Sequence, residues 1–320
     1  MTDLRLGINL WSQASDWPSF LAAGRRAEEL GYDHLWTWDH LYAIFGDPYQ
    51  PIHEGYVALA ALAQATSRIR LGLFVGANTF RNPGLVTKSL VTIDHVSGGR
   101  AILGIGGAWF EDEHTAFGFD FGTGFGQRLD WLAESVKAIR TLLDGGEVTS
   151  EPGGRYDFDA LRIAPRPVQD HLPIMIGGGG ERKTLRIVAE HADIWNVFGT
   201  PETVAHKDAI LREHCAAVGR DPDAIERTLG CKPVIRSTEA EAQRAFHDLL
   251  DHNRTPASRM EGDVSVWVGT PEQIARTILD YRRVGFHTFI AELPAPYDAE
   301  TMETLINVVK PMVEESTGRA

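Results

Sequence analysis

The chain has 320 residues, 43% of them hydrophobic, and a formal net charge of −13 from 44 acidic residues against 31 Lys and Arg. That length and apolar content suffice for one large core, and the acidic balance argues against nucleic acid or an anionic membrane as a partner, since both demand a basic face. The two cysteines, Cys215 and Cys231, form neither a disulfide framework nor a zinc motif, residues 1–11 lack a leader pattern, and no apolar run is long enough to span a bilayer, so the expectation is a soluble cytoplasmic protein with reduced thiols.

Two textures alternate along the chain. Short apolar runs end in Gly, Asn or Asp, and stretches with helical period follow them. The pattern predicts strands at 4–11, 34–40, 68–77, 100–107, 173–178, 193–199, 227–237 and 287–294. Helices are predicted at 18–31, 54–66, 82–99, 125–146, 181–192, 201–219, 238–252 and 271–285, with a last one from about 298 to 315. Pro18 near the start and Gly31 at the end of the first helix are typical punctuation. Two stretches interrupt the rhythm and read as insertions in a single domain over 1–320. The first, about 147–172, is rich in Pro, Gly and charge and suits a hairpin; the second, about 253–268, reads as irregular. Strand–helix alternation implies parallel strands with helical crossovers. Eight such units in this length fit a (β/α)8 TIM barrel better than an open sheet.

In such a barrel, ligands collect at the C-terminal ends of the strands. The second strand ends in Trp38, Asp39 and His40, and the third in Phe74, Val75, Gly76 and Asn78. The fourth ends in Gly106 and Gly107, then Trp109, Glu113 and His114. The fifth runs into Gly177, Gly178, Gly179, Gly180 and Glu181. A glycine run between strand and helix lets successive N–H groups converge on an anion, and the helix adds its positive end. A phosphate is therefore expected there, with Arg182 or Lys183 nearby, the alternative being a plain tight turn. The run is neither a P-loop nor a dinucleotide fingerprint.

Aromatic residues crowd the same end. Trp11, Trp38 and Trp109 are read as the substrate pocket, with Phe74 and Phe110 beside them, whereas Trp36 reads as barrel filling. Aromatic walls with a few polar groups suit a flat ring. His40 and His114 are the candidates for proton transfer, because histidine titrates near neutrality; the alternative for each is a structural histidine. The run "EDEH" (111–114) reads as a solvated helix start rather than a metal chelate. No closely spaced histidines follow the first strand and no Ser or Cys occupies a glycine-flanked elbow, so neither a metal site nor a nucleophilic triad is expected.

The pieces "LWTWDH" (35–40), "RIRLG" (68–72), "TFRNPGLVTKSLVTIDHVSGGRAILGIGGAWFEDEH" (79–114), "RPVQDHLPIMIGGGGERKTLRIVAEHADIWN" (166–196) and "VGTPEQIA" (268–275) together resemble the bacterial luciferase-like superfamily of flavin and deazaflavin oxidoreductases. The resemblance runs over nearly the whole chain and implies a (β/α)8 barrel with insertions. One branch of that superfamily uses FMN and oxygen; the other uses the deazaflavin coenzyme F420 for hydride transfer. Asp39 and His40 are similar to an Asp-His pair of the deazaflavin branch. The resemblance implies that F420 is held by Asp39, His40, Phe74, Val75, Gly76, Asn78, Gly106, Gly107, Gly177, Gly178, Gly179, Gly180 and Glu181, with the phosphate on the glycine run. It places the ring against Phe74–Gly76, over a bulge with a cis peptide that involves no proline, and His40 near the reactive carbon.

His40, Glu113 and His114 are the expected catalytic residues. The chain departs from the sugar-phosphate dehydrogenases of that branch. Trp109 stands where those carry a carboxylate after the fourth strand, and Ser12 or Gln13 replaces an acid after the first, leaving Glu113 as a substitute acid. The expectation is an F420-dependent oxidoreductase acting on a small, fairly apolar substrate, with a homodimer as its assembly. The rivals are an FMN-dependent monooxygenase and a flavin-binding protein without turnover.

Overall fold

A computed structural model describes residues 3–318. Its strands are β1 (Arg5–Leu10), β2 (His34–Thr37), β3 (Arg70–Leu73), β4 (Gly76–Ala77), β5 (Ala101–Gly106), β6 (Ile174–Gly177), β7 (Ile194–Val197), β8 (Glu226–Ile235), β9 (Val266–Gly269) and β10 (Thr288–Leu293). The helices are α1 (Trp17–Leu30), α2 (Gly55–Ala65), α3 (Pro83–Ser97), α4 (Glu111–Phe117), α5 (Phe125–Leu143), α6 (Thr184–His191), α7 (Pro201–Val218), α8 (Glu239–His252) and α9 (Pro271–Arg283). The last segment comprises α10 (Ala299–Thr304), a π-helical stretch at Leu305–Val309, and α11 (Lys310–Gly318).

All strand pairs are parallel. The order runs β10, β1, β2, β3, β5, β6, β7, β8, and β8 pairs back onto β10 through Thr228 and Thr288, which closes the barrel. The eight expected units thus form a TIM barrel. Inside it, Trp36, Phe74, Ile102, Met175, Ile194 and Ile290 form one cluster. Trp36 fills the barrel as its sequence position suggests, and it needs glycine opposite: a Cβ on Gly72 would lie 2.5 Å from its ring. A second, larger apolar layer joins strands to helices. Helix starts follow capping chemistry. Asp16 accepts from Ser19 N at the head of α1, and Gly31, at φ 88°, ends it.

Two departures from the sequence reading matter for the site. The stretch at 253–268 is not wholly irregular. It leads into β9, which pairs with the C-terminal half of β8 at Lys232–Ile235. β8 has 10 residues and outruns its other partners, so its upper half presents open backbone that β9 covers. The other insertion is joined by one antiparallel bridge, Val148 to Leu161.

The predicted third strand is broken at Phe74–Val75. Residue 72 pairs with 102, but 76 pairs with 105, so four steps on one strand face three on the other. That is a bulge of one extra residue. The Phe74–Val75 peptide is cis, in line with the resemblance. The bulge turns Val75 toward Gly106 and Gly177, where an added Cβ would lie 2.8 and 3.0 Å from Val75 Cγ2. Among the described residues, no helix is long and apolar enough to cross a membrane.

Candidate active site

The strand ends enclose a cleft with about 1150 Å³ of free space, open to solvent on one side. Of the residues singled out in the sequence, Trp38, Asp39, His40, Phe74, Val75, Gly76, Gly106, Gly107, Trp109, Glu113, Gly177 and Gly178 line it. Lys232, Glu292, Phe45, Phe125 and Phe198 line it as well, and the sequence reading had not assigned them.

His40 follows β2 and faces a carboxylate from α4. Its Nδ1 lies 2.9 Å from Glu113 Oε1, and Glu113 Oε2 accepts from the N–H of Leu41 at 2.8 Å. Glu113 is 1% exposed, so α4 carries its acid inward. Trp38 and Trp109 meet the His40 ring edge-on, with centroids 5.8 and 5.7 Å away. With Nδ1 engaged by Glu113, Nε2 is the nitrogen left for the cleft.

The "EDEH" run is a helix start but not a solvated one. Glu111 and Asp112 are exposed, whereas Glu113 and His114 are buried. His114, expected as a catalytic group, lies off the cleft lining. Its Nδ1 donates to the Phe110 carbonyl at 2.7 Å, and its Nε2 accepts from the Thr79 hydroxyl at 2.6 Å. A carbonyl only accepts, so the proton sits on Nδ1. Burial holds the His114 pKa below the ordinary histidine value. His114 is a strut that ties α4 to the segment after β4.

Asp39 contributes its backbone surface to the cleft but spends its carboxylate elsewhere. The buried carboxylate takes both Arg81 amino groups at 2.7 and 2.9 Å, and the Ala77 N–H at 2.9 Å. Arg81 also reaches Glu54. Burial pulls the Arg81 pKa down, but Asp39 and Glu54 outweigh it, and the guanidinium stays above its usual range. Asp39 therefore fastens β4 in place behind the bulge. Arg81 lies within one of the quoted motifs, yet nothing local marks it as Asp39's partner.

The glycine run lies at one edge of the cleft. Gly178 N donates to Asn196 O at 2.9 Å, and the carbonyls of Gly178, Gly179 and Gly180 accept from Trp195 Nε1, Lys207 Nζ and Leu185 N. Among the described residues, the N–H groups of Gly179, Gly180 and Glu181 have no protein acceptor. Those three residues lie beyond the cleft lining, on the loop that enters α6. Lys183 is drawn off to Gly126 and Asp130; the neighbouring cation is Lys207. Free N–H groups of this kind can receive an anion.

Two further expected site residues lie off the cleft lining. Trp11 does not line the cleft but stacks behind Trp38, with centroids 4.3 Å apart, and borders a smaller cavity. Asn78 is also outside the lining. Its N–H donates to Gly106 O at 3.1 Å, and among the described residues its buried Nδ2 has no partner. Glu292 left a signal that was available, as the single charge of the strand TFIAEL, whereas Lys232 shares its strand with Glu226 and Arg227 and did not stand out.

The family model for luciferase-like monooxygenases matches residues 5–288. The chain belongs to the luciferase-like monooxygenase family. Like its relatives in that family, it is an oxidoreductase. It is 28% identical over 293 residues to an F420-dependent glucose-6-phosphate dehydrogenase of Kineococcus radiotolerans, covering 84% of this chain and 85% of that one. It is 26% identical over 260 residues to a pyrimidine monooxygenase of Acinetobacter baylyi, covering 77% and 69%. An F420-dependent secondary alcohol dehydrogenase solved with an F420–acetone adduct superposes with a TM-score of 0.82 over 98% of this chain and 99% of that one, at 18% identity, which speaks to the luciferase-like fold alone.

Proposed function

We propose that the protein is a cytoplasmic, homodimeric F420-dependent oxidoreductase that transfers a hydride between the cofactor and a small, largely apolar organic substrate. The observation that carries this reading is the His40–Glu113 pair, 2.9 Å apart, beside a bulged strand and a glycine-backed loop with free N–H groups. Bound F420 supplies a ring carbon that accepts or gives up a hydride.

The residues fit such a group. Gly106 and Gly177 carry no side chain where Val75 approaches, and Gly179, Gly180 and Glu181 offer unpaired donors to a phosphate. For an alcohol, the hydroxyl proton passes to His40 Nε2 as the carbon loses its hydride, and His40 returns it in the reverse direction. Glu113 holds the other ring nitrogen and balances the imidazolium that forms. The aromatic lining gives the reacting carbon largely apolar surroundings.

The second reading is an FMN-dependent monooxygenase that uses oxygen, and the similarity to a pyrimidine monooxygenase favours it. Titration of the purified protein with F420 and with FMN separates the two. The proposal expects F420 to bind at least about tenfold tighter, a gap of roughly 1.4 kcal/mol. Tighter FMN binding with oxygen consumption overturns it.

A further inference from the structure

The two strands that close the barrel bring an ammonium and a carboxylate oxygen side by side in the cleft as a loose ion pair, 3.6 Å apart. Glu292, on β10, is 5% exposed and lines the cleft. Its Oε2 accepts from Asn9 Nδ2 at 3.1 Å, Trp11 Nε1 at 3.2 Å and Trp38 Nε1 at 3.3 Å. Its Oε1 has Lys232 Nζ as its nearest cation, at 3.6 Å. That separation is longer than a hydrogen bond.

Lys232, on β8, donates to Asp263 Oδ2 at 3.0 Å and Ser265 Oγ at 2.7 Å. An ammonium has three protons, so one remains. Burial pulls the Lys232 pKa down, but Glu292 and Asp263 outweigh it, and the amine stays charged. The cluster thus holds one cation against two carboxylates. An added anion meets a surplus of negative charge, and an added cation meets Lys232. The ring of Phe198, 5.4 Å from Nζ, and the Trp38 indole make the surroundings apolar.

We propose that Lys232 Nζ and Glu292 Oε1 are the substrate's polar anchor, binding one neutral group that both donates and accepts a hydrogen bond, a hydroxyl or a carboxamide, and rejecting carboxylates. The anchor sets specificity and takes no part in proton transfer. Calling its ligand the substrate rests on the oxidoreductase reading above.

The test uses cofactor-free protein and three probes with one skeleton: cyclohexylmethanol, cyclohexanecarboxamide and cyclohexanecarboxylate. Binding is read by tryptophan emission, which Trp11 and Trp38 report because both donate to Glu292, and by saturation-transfer NMR. The alcohol and amide are expected to bind at least about tenfold tighter than the carboxylate, because a buried donor–acceptor pair discriminates strongly when left unpaired. Glu292→Gln lowers that preference below about threefold by admitting the carboxylate, and Lys232→Met weakens the alcohol and amide.

A carboxylate that binds the wild type as tightly as the amide, or an unchanged ranking in Glu292→Gln, overturns the anchor. If Glu292→Gln does not fold, Glu292→Asp keeps the charge and withdraws Oε1. A reduced preference in that variant supports the proposal, and an unchanged one overturns it. Both variants are expected to keep F420 affinity within about threefold. If the ranking holds while FMN binds tighter than F420, the deazaflavin reading falls and the anchor stands. If F420 binds and the ranking is absent, the anchor alone falls.

Discussion

His40 Nδ1 lies 2.9 Å from Glu113 Oε1, although 73 residues separate them in the chain. One comes from the end of β2 and the other from the first turn of α4, after β5, and the sheet order β2, β3, β5 sets the two strand ends one strand apart. Glu113 is held in turn by the Leu41 N–H, so the acid and the histidine fix each other. His40→Ala is expected to cut turnover by about 10²-fold or more, and Glu113→Gln by about 10- to 100-fold, with cofactor affinity changed by less than about threefold in both. Steady-state kinetics and cofactor titration check this. A loss explained wholly by weaker cofactor binding removes the pair from proton transfer.

The glycine loop offers a clean steric test at Gly179. Gly178 has φ 130°, so any side chain there strains the loop and confuses binding with folding. A Cβ at Gly179 meets Lys207 Cδ and Val197 Cγ2 at 3.1 Å; the flexible lysine relieves the first contact, and the second asks Val197 to give by a few tenths of an ångström. Gly179→Ala is expected to weaken cofactor binding by at least about tenfold while the thermal midpoint holds, because the methyl group crowds the approach of an anion to the N–H groups. Unchanged affinity would reduce the loop to a turn.

Asp39 and Arg81 predict a stability effect rather than a catalytic one. Asp39→Asn keeps an acceptor for the Ala77 N–H but leaves Arg81 with Glu54 as its only carboxylate partner among the described residues. Breaking one side of a buried pair is expensive, and Glu54 softens the cost. The expected loss is about 2–4 kcal/mol, measured by urea unfolding. A loss below about 0.5 kcal/mol would show that β4 is fastened by other contacts.

His114 gives the stability of the protein an acid-side slope. Its pKa in the folded chain lies below the ordinary 6.5, chiefly through burial. As pH falls below about 6.5, the unfolded chain takes a proton that the folded chain resists. The stability His114 contributes is therefore present above that pH and lost as pH falls toward the folded value. His114→Gln is expected to be less stable than wild type at pH 7.5 and to lose less on acidification, so that the two unfolding curves approach each other as pH falls below about 6.5. Parallel pH profiles would exclude His114 as the source.

Several features were legible because they depend on short-range order. The alternation of β-prone runs with helical periods, stopped by residues such as Gly31, Gly98 and Gly219, is read from a few neighbours at a time, and it was sufficient for the barrel. Gly177–Gly180 and Asp39–His40 are contiguous, so the loop and the histidine were visible as motifs. β9 escaped notice because "VWVG" has four residues and forms only where β8 outruns its neighbours.

The sequence by itself determined the class of fold, the family resemblance, the glycine run and the aromatic strand ends. Only the tertiary structure decided what each titratable group does. Arg81 engages the carboxylate of Asp39, which still lines the cleft, and Thr79 and Phe110 engage both ring nitrogens of His114. Glu113 was uncertain on a helix start and proved to face His40, whereas Lys232 and Glu292 meet because β8 and β10 are the strands that close the ring. The physical reason is common to all five. A strand or helix is specified by its neighbours in sequence, but a charged side chain is assigned by whichever partner or solvent surrounds it, and that is settled only when distant strand ends meet.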